Sequence, residues 1–487
     1  MRLSYILKAI SLMMMYTGIF LFLPILIALV YHDKSSITPF ITAAIFSAGL
    51  GYLIRKIYPQ TAKLENLNDI KKSEALFIVA SSWIVFAFLA AIPYLFYNFS
   101  FINALFEATS GITTTGATIF TNFDYPKALF FWRSLTQWLG GLGIIVLFVA
   151  ILPQFAVAGR QMFFAEAPGP TEDKFTPRIR NTASTLWKLY LGLTILLAVL
   201  LIIVGMPIFD SICNALSTLS AGGFSPNPQS IMGYHLQCAT WLIFIFMFFA
   251  GASFNLQYKV IQKRNPLLLF KSEEFNLYFS VVMCASLMIA TMLIVTHNYN
   301  IGDALRHSAF QVVSLMTSTG AASVDFTKWS YSAQILLFIV MFFGSCASSA
   351  GGGIKMTRWL LVFKTMKNEI VKILHPNAVL NVKIDNSVVP PEVIRQVVVF
   401  VFFYFMIYAI TAITVTLIEQ NHTLGLTSTI TALGNIGPGF GTIGPMESFD
   451  FMHSSTKLIL IFNMIVGRLE LIPFLVMCQK DFWSIKV

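Results

Sequence analysis

Four short stretches of this chain combine hydroxyl or small residues with glycine in a way suited to holding a bare cation. They are ITTTGAT (112–118), LSAGGFS (219–225), TSTGAAS (317–323) and GNIGPGF (434–440). Aligned on Gly116, Gly222, Gly320 and Gly437, the copies stand 106, 98 and 117 residues apart. A dehydrated alkali cation needs several oxygen ligands, and backbone carbonyls can replace its water shell. Turning successive carbonyls the same way takes unusual backbone angles, which glycine tolerates. The motif therefore predicts that Thr114, Thr115 and Gly116 line a common axis with Ser220, Ala221 and Gly222, with Ser318, Thr319 and Gly320, and with Asn435, Ile436 and Gly437. The competing reading is ordinary turn glycines. One such loop is commonplace, but four at matched positions are not.

Each loop follows a short, mostly apolar, helix-like run. Asn103, Asp210 and Asp303 stand where N-cap residues belong, with Thr423 a candidate for the fourth. A half-helix whose C-terminal end meets the loop aims partial negative charge there, which favours a cation. Each loop is followed by an apolar span with its own glycine: GGLG at 140–143, then Gly251, Gly344 and Gly467. The chain thus divides into a leading pair of spans (1–72) and four units of span, short helix, loop and span (73–158, 159–270, 271–385 and 386–487). A period this regular points to pseudo-symmetry about one axis.

Composition sets the solvent for these elements. Charged residues are 11% of the 487, against roughly 25% in a soluble chain. Hydrophobic residues are 56%, Phe alone contributes 46, and mean hydropathy is +0.75. These values exclude a soluble enzyme, a disordered chain and a nucleic-acid-binding domain, and indicate an all-α polytopic membrane protein. Ten apolar stretches reach spanning length, centred near 9–30, 38–57, 75–98, 128–152, 186–206, 239–257, 276–296, 333–363, 394–418 and 456–478. The segments near 55–72, 160–188, 259–271 and 355–395, with both termini, hold 25 of the 32 Lys and Arg. The opposite loops hold Lys34, Lys127, Arg133, Arg306, Lys328 and Lys457. The positive-inside rule then predicts cytoplasmic termini and outward-facing glycine loops. The N-terminal apolar run, too long for a signal h-region, reads as a retained first span.

Other residues carry open alternatives. GSCASSAGGG (344–353) holds nothing larger than Cys. It reads either as a break in the eighth span, with Gly344, Gly351, Gly352 and Gly353 giving a mobile gate below the third loop, or as a helix-packing patch. Arg468 lies inside a span at a cost of about 2.5–3.5 kcal/mol, as a fixed charge beneath the loops or as half of a structural ion pair. Lys355 reads as a membrane-boundary anchor. Asp124, Asp325, Glu447 and Asp450 are candidates for an outer vestibule that enriches cations, or for plain solvated loop charges. The five cysteines read as small buried residues rather than a disulfide or metal framework. HExxH, GxSxG and paired carboxylates within spans are all missing from the sequence, which argues against an intramembrane enzyme. An inverted-repeat secondary transporter is disfavoured because all four loops share one orientation.

With these motifs in hand, the chain resembles the Trk/Ktr/HKT potassium transporters over essentially its whole length, most closely the bacterial TrkH/TrkG type, which shares the leading pair of spans. The resemblance implies potassium uptake across the bacterial inner membrane, with K+ as the transported ion at the filter residues and no covalent cofactor. It also implies a homodimer in lipid, regulated by a cytosolic TrkA-type nucleotide-binding ring; the chain itself has no GxxxxGK[ST]. In that family an intramembrane gating loop falls at the glycine-rich run and an arginine at the place of Arg468. Sodium-permeable members typically carry Ser for the first filter glycine, so Gly116 implies potassium. The alternatives are a less selective Na/K permease, also passing Rb+, or a proton-coupled symport.

Overall fold

The computed structural model describes residues 3–58, 72–143, 179–378 and 380–469, together with 471, 474 and 477. The chain is helical nearly throughout; the described exception is a two-stranded hairpin pairing Lys383–Ile384 with Ser387–Val388. Two leading helical segments, Leu3–Phe20 running on into Phe22–Val30 and then Ile37–Ile57, pack against each other and against Lys72–Leu95.

Four repeats follow, and each begins with a first helix packed on a short one. The pairs are Lys72–Leu95 with Phe101–Ile112, Ile179–Ile203 with Ile208–Leu219, Glu273–His297 with Ile301–Met316, and Pro391–Glu419 with His422–Leu433. The second helices are Lys127–Trp138, Gln237–Gly251, Tyr331–Val340 and Ser454–Arg468. The second helix of repeat 1 also packs on the short helix of repeat 2, that of repeat 2 on repeat 3, and that of repeat 4 back on repeat 1. This head-to-tail packing is the pseudo-symmetric arrangement around a centre that the loop spacing predicts.

The spans among the described residues are fewer than ten unbroken ones. Among the described residues, six helices are long and apolar enough to cross a membrane, and these are the two leading spans and the four first helices. The second helices of repeats 1, 2 and 3 break instead. In repeat 1 the helix passes into a π-helical turn, Leu139–Gly143, with Gly141 out of helical geometry. In repeat 2 it bends by 102° before continuing as Phe254–Lys263. In repeat 3 it stops at Val340 and resumes at Met356. The reach of the fourth and tenth expected spans beyond 143 and 469 lies largely outside the described residues, as do Cys478 and the basic segment 160–178.

The short helices of repeats 1 to 3 are capped three residues earlier than their polar residues suggest, and that of repeat 4 is capped two residues before Thr423. The caps are Ser100, Pro207, Asn300 and Asn421, so Asn103, Asp210 and Asp303 each occupy the third helical position. Ser100 and Asn421 accept the N–H of Asn103 and Leu424, and acidic residues in the first turn suit the positive end of the dipole. Two presumed loop charges are also buried. Arg133 lies inside the second helix of repeat 1, and Lys457 in that of repeat 4 donates to Asn103 Oδ1 at 2.8 Å and the Asp450 carbonyl at 2.7 Å. Cys213 and Cys346 are buried, whereas Cys238 and Cys284 are exposed.

Arg133 pairs with Glu107 of the short helix at 2.8 Å, both side chains enclosed, and Phe120 and Phe224 rings cover its guanidinium at 4.2 and 4.1 Å. Glu107 also accepts the Ile119 N–H at 2.9 Å, which pins the chain just beyond the first loop. Removing one partner strands a buried charge. We expect Arg133→Met to destabilise the fold by about 3–5 kcal/mol, and Glu107→Gln added to it to recover most of that loss. Thermal melting in detergent reads the difference; equal melting of the single and double variants would show that the pair does not hold this corner.

Candidate functional site

All four short helices end in the same hydrogen-bonded turn. In repeat 1 the N–H groups of Thr113, Thr114 and Thr115 donate to the carbonyls of Thr109, Gly111 and Ser110. The pattern recurs from Ser220, Ala221 and Gly222 to Leu216, Thr218 and Ser217, and from Thr317, Ser318 and Thr319 to Val313, Leu315 and Ser314. Gly434, Asn435 and Ile436 repeat it onto Ile430, Ala432 and Thr431. This is a Schellman end, which requires a left-handed residue just past the helix. Thr114, Ala221, Ser318 and Asn435 take that role at φ 56°, 57°, 58° and 54°. Two residues on, Gly116, Gly223, Gly320 and Gly437 have φ 81°, 76°, 72° and 104°.

These angles correct the register of the second loop. Its equivalent residues are Ala221, Gly222 and Gly223, one step later than the alignment through Ser220 and Gly222. The segment SAGGF offers two adjacent glycines, and only the distance from the helix end chooses between them. Ser220 corresponds instead to Thr113, Thr317 and Gly434. Thr113 and Thr115 join their hydroxyls at 2.8 Å, as do Thr317 and Thr319.

The loops meet as a closed ring. A Cβ placed on Gly116 would overlap the Gly222 carbonyl oxygen, one on Gly223 that of Thr319, and one on Gly320 that of Ile436. One on Gly437 would stand 2.7 Å from the Thr115 carbonyl, which closes the circle. Four short-helix C-termini, each with partial negative charge, therefore converge on a ring of carbonyl oxygens. Immediately above it is a vestibule lined by Gly116, Gly223, Gly320 and Gly437. Of the four proposed vestibule acids, Glu447 lines it. Asp325 folds onto Thr327, Asp450 accepts from Asn103 at 2.7 Å, and Asp124 is exposed on the surface.

Beneath the ring, residues 341–355 form a loop, so the glycine-rich run is no helix-packing face. Gly351 and Gly352 lie against the ring: a Cβ on Gly352 would stand 2.5 Å from the Gly434 carbonyl, and its N–H donates to Ser318 Oγ at 2.5 Å. Gly344 bonds Ile354 at 2.9 Å across the loop, and Gly353 has φ 71°. The loop is better tethered than its small residues suggest. Cys346 and Ala350 donate to the Gly251 and Ala250 carbonyls at 2.9 and 3.2 Å. Glu274 accepts the Ala347 N–H at 2.6 Å, and Lys355 Nζ donates to the Gly351 carbonyl at 2.5 Å, so Lys355 ties the loop.

Arg468 reaches into this layer. Its guanidinium donates to the carbonyls of Ala350 at 3.0 Å, Gly140 at 2.6 Å and Gly141 at 2.9 Å. It thereby joins the repeat 3 loop to the break in repeat 1. Sequence reasoning missed Glu274, the Glu107–Arg133 pair and Gln137, whose amide reaches the second loop. The available signal was their polarity within apolar segments. The neighbouring Glu470 is outside the described residues.

Comparison with known proteins agrees with this architecture. Residues 42–485 match the TrkH family model, described as a cation transport protein. The chain is 34% identical over 468 residues to the Trk system potassium uptake protein TrkH of Salmonella typhimurium, covering 95% of each chain. It is 33% identical over 472 residues to TrkG of Escherichia coli, with 94% of each covered. The crystal structure of the potassium transporter TrkH from Vibrio parahaemolyticus superposes with a TM-score of 0.89 at 29% identity, over 99% of this chain and 100% of that one. A helical membrane chain with four such repeats, matched along nearly its whole length, belongs to the TrkH family of cation transport proteins, a family of transporters and not of enzymes.

Proposed function

We propose that the chain is the potassium-permeating subunit of a bacterial Trk-type uptake system, with the carbonyls of the four-loop ring as its selectivity filter. The observation that carries this reading is the ring itself: four identical helix ends deliver carbonyl oxygens to one axis, each fixed by the neighbouring loop. The ligand-bearing residues are Thr114, Thr115 and Gly116; Ala221, Gly222 and Gly223; Ser318, Thr319 and Gly320; and Asn435, Ile436 and Gly437. A potassium ion sheds water into this ring, which the helix dipoles make negative. The names of the relatives support potassium as the substrate.

In this reading the 341–355 loop is the gate, since it lies against the ring and Arg468 holds it there beside a fixed positive charge. The termini face the cytoplasm of a bacterium, across whose inner membrane the ion moves. The exposed Lys259, Lys263, Arg264 and Lys271 then offer a basic surface to a cytosolic nucleotide-binding ring. Met356–Leu374 leaves Phe363, Met366, Ile370 and Ile373 exposed, an apolar face suited to a homodimer.

Two outcomes test the reading in proteoliposomes. Gly116→Ser puts a Cβ onto the Gly222 carbonyl, and we expect the potassium-to-sodium permeability ratio to fall about tenfold, or some 1.4 kcal/mol of discrimination. An unchanged ratio in a folded variant would remove Gly116 from the filter. Arg468→Ala, or deletion of 348–351 within the loop, frees the gate, and potassium flux should rise several-fold. Lower flux with a lower melting temperature in both would mark the loop and its arginine as scaffold.

A further inference from the structure

Position 222 is the one place in the ring where the backbone repeat and the side chains disagree. Its counterparts carry Thr115, Thr319 and Ile436, which fill the space behind each loop with buried side chains. Gly222 has none, yet its φ is not in the left-handed region, so its backbone does not call for glycine. What calls for glycine is a side chain from elsewhere. Gln137, on the second helix of repeat 1 and fully buried, has its amide where a Gly222 side chain would begin: a Cβ there would stand 2.6 Å from Gln137 Oε1 and 2.8 Å from Nε2.

The amide is also bonded in both directions. Its Nε2 donates to the Gly222 carbonyl at 2.5 Å, and its Oε1 accepts the Phe224 N–H at 3.0 Å. The Phe224 N–H fixes which end of the amide faces the ring, so the donor is aimed at the carbonyl. That carbonyl is the same one a Cβ on Gly116 would strike. In repeat 4, Met464 stands three residues before Gly467 as Gln137 stands three before Gly140, so the amide is not repeated there.

We infer that Gln137 is a specificity-determining positioning residue: it serves as the missing side chain of filter position 222 and sets the direction and charge density of the repeat 2 carbonyl. This inference rests on the ring being the potassium filter. A carbonyl that shares its lone pairs with an amide N–H is a weaker and more rigid cation ligand than its three counterparts, so the ring presents one distinct side. The distinct side is built from repeat 1 and acts on repeat 2, and so survives only while the two repeats keep their register.

The packing half of the claim makes an unusual prediction, because Gly222 and Gln137 compete for one volume. Gly222→Ala alone should lower the potassium-to-sodium permeability ratio in proteoliposomes about tenfold, while Gln137→Ala alone should lower it about fivefold by orphaning the Phe224 N–H and releasing the carbonyl. Combined, the two should be less harmful than Gly222→Ala by itself, a coupling of opposite sign to two independent lesions. A double variant as damaged as the two singles added together would overturn the inference. Should Gly222→Ala not fold, Gln137→Met keeps the test: it has a similar length and volume but can neither donate to the Gly222 carbonyl nor accept the Phe224 N–H. Its ratio should fall at least as far as that of Gln137→Ala, and an unchanged ratio would overturn the claim. Gly116→Ser runs alongside in the same vesicles. If it shifts the ratio and the Gln137 variants do not, this inference fails while the filter stands; if neither shifts it, the filter reading has failed first.

Discussion

The ring depends on an absent atom. At each of Gly116, Gly223 and Gly320 the place of a Cβ is taken by a carbonyl oxygen of the following repeat, and at Gly437 the Thr115 carbonyl stands 2.7 Å away. Each loop is therefore held by its neighbour, and the last holds the first. This closure explains how four non-glycine residues stay left-handed. Thr114, Ala221, Ser318 and Asn435 accept a conformation that costs of order 1–3 kcal/mol each unless the surroundings over-determine it. The Schellman bonds fix each from the helix side, and the adjoining loop fixes it from the other. No single loop would keep this shape alone.

Symmetry ends at the backbone. The turn is the same four times, but what supports it differs in each repeat. An enclosed Glu107–Arg133 pair holds the first, and Gln137 from repeat 1 holds the second. Ser314 donates to the Ala321 carbonyl at 2.6 Å in the third, and in the fourth Asn435 spans to Thr115 at 3.0 Å and to the Met464 carbonyl at 2.9 Å. A single chain permits this, because each repeat can vary without imposing the change on three copies. The same freedom allows repeat 3 to lay a loop of small residues under the ring, while repeat 2 answers with a 102° bend.

Much of this was legible in residue types. The hydropathy and the four glycine loops give the helical, membrane-embedded, fourfold plan, because apolar length and turn chemistry are local properties that survive folding. What sequence could not place were features decided by neighbours. In SAGGF either glycine can turn the chain, and the choice falls to Gly223 because the helix ends at Leu219 and Gln137 occupies the space behind Gly222. Asn103, Asp210 and Asp303 looked like caps because they are polar at helix starts, but the helices gain one more turn upstream, where Ser100 and Asn421 make the capping bonds. Arg133 and Lys457 looked like loop charges because charge in a span is costly; partners distant in sequence meet that cost for each.

Arg468 shows how a second cost of that kind is met. A guanidinium at membrane depth needs acceptors for several donors, and a continuous helix has none to spare, since each of its carbonyls is engaged four residues on. Carbonyls come free only where helices stop. Gly140 and Gly141 sit where the repeat 1 helix leaves α-geometry, and Ala350 lies in the loop that interrupts repeat 3; these are the oxygens Arg468 takes. The charge and the broken helices therefore require each other. Without the breaks the arginine would lose its acceptors, and without the arginine three carbonyls would lose their donor. The glycines at those breaks let the backbone turn its carbonyls toward the guanidinium, so they act less as points of weakness than as the local solvent of a fixed positive charge.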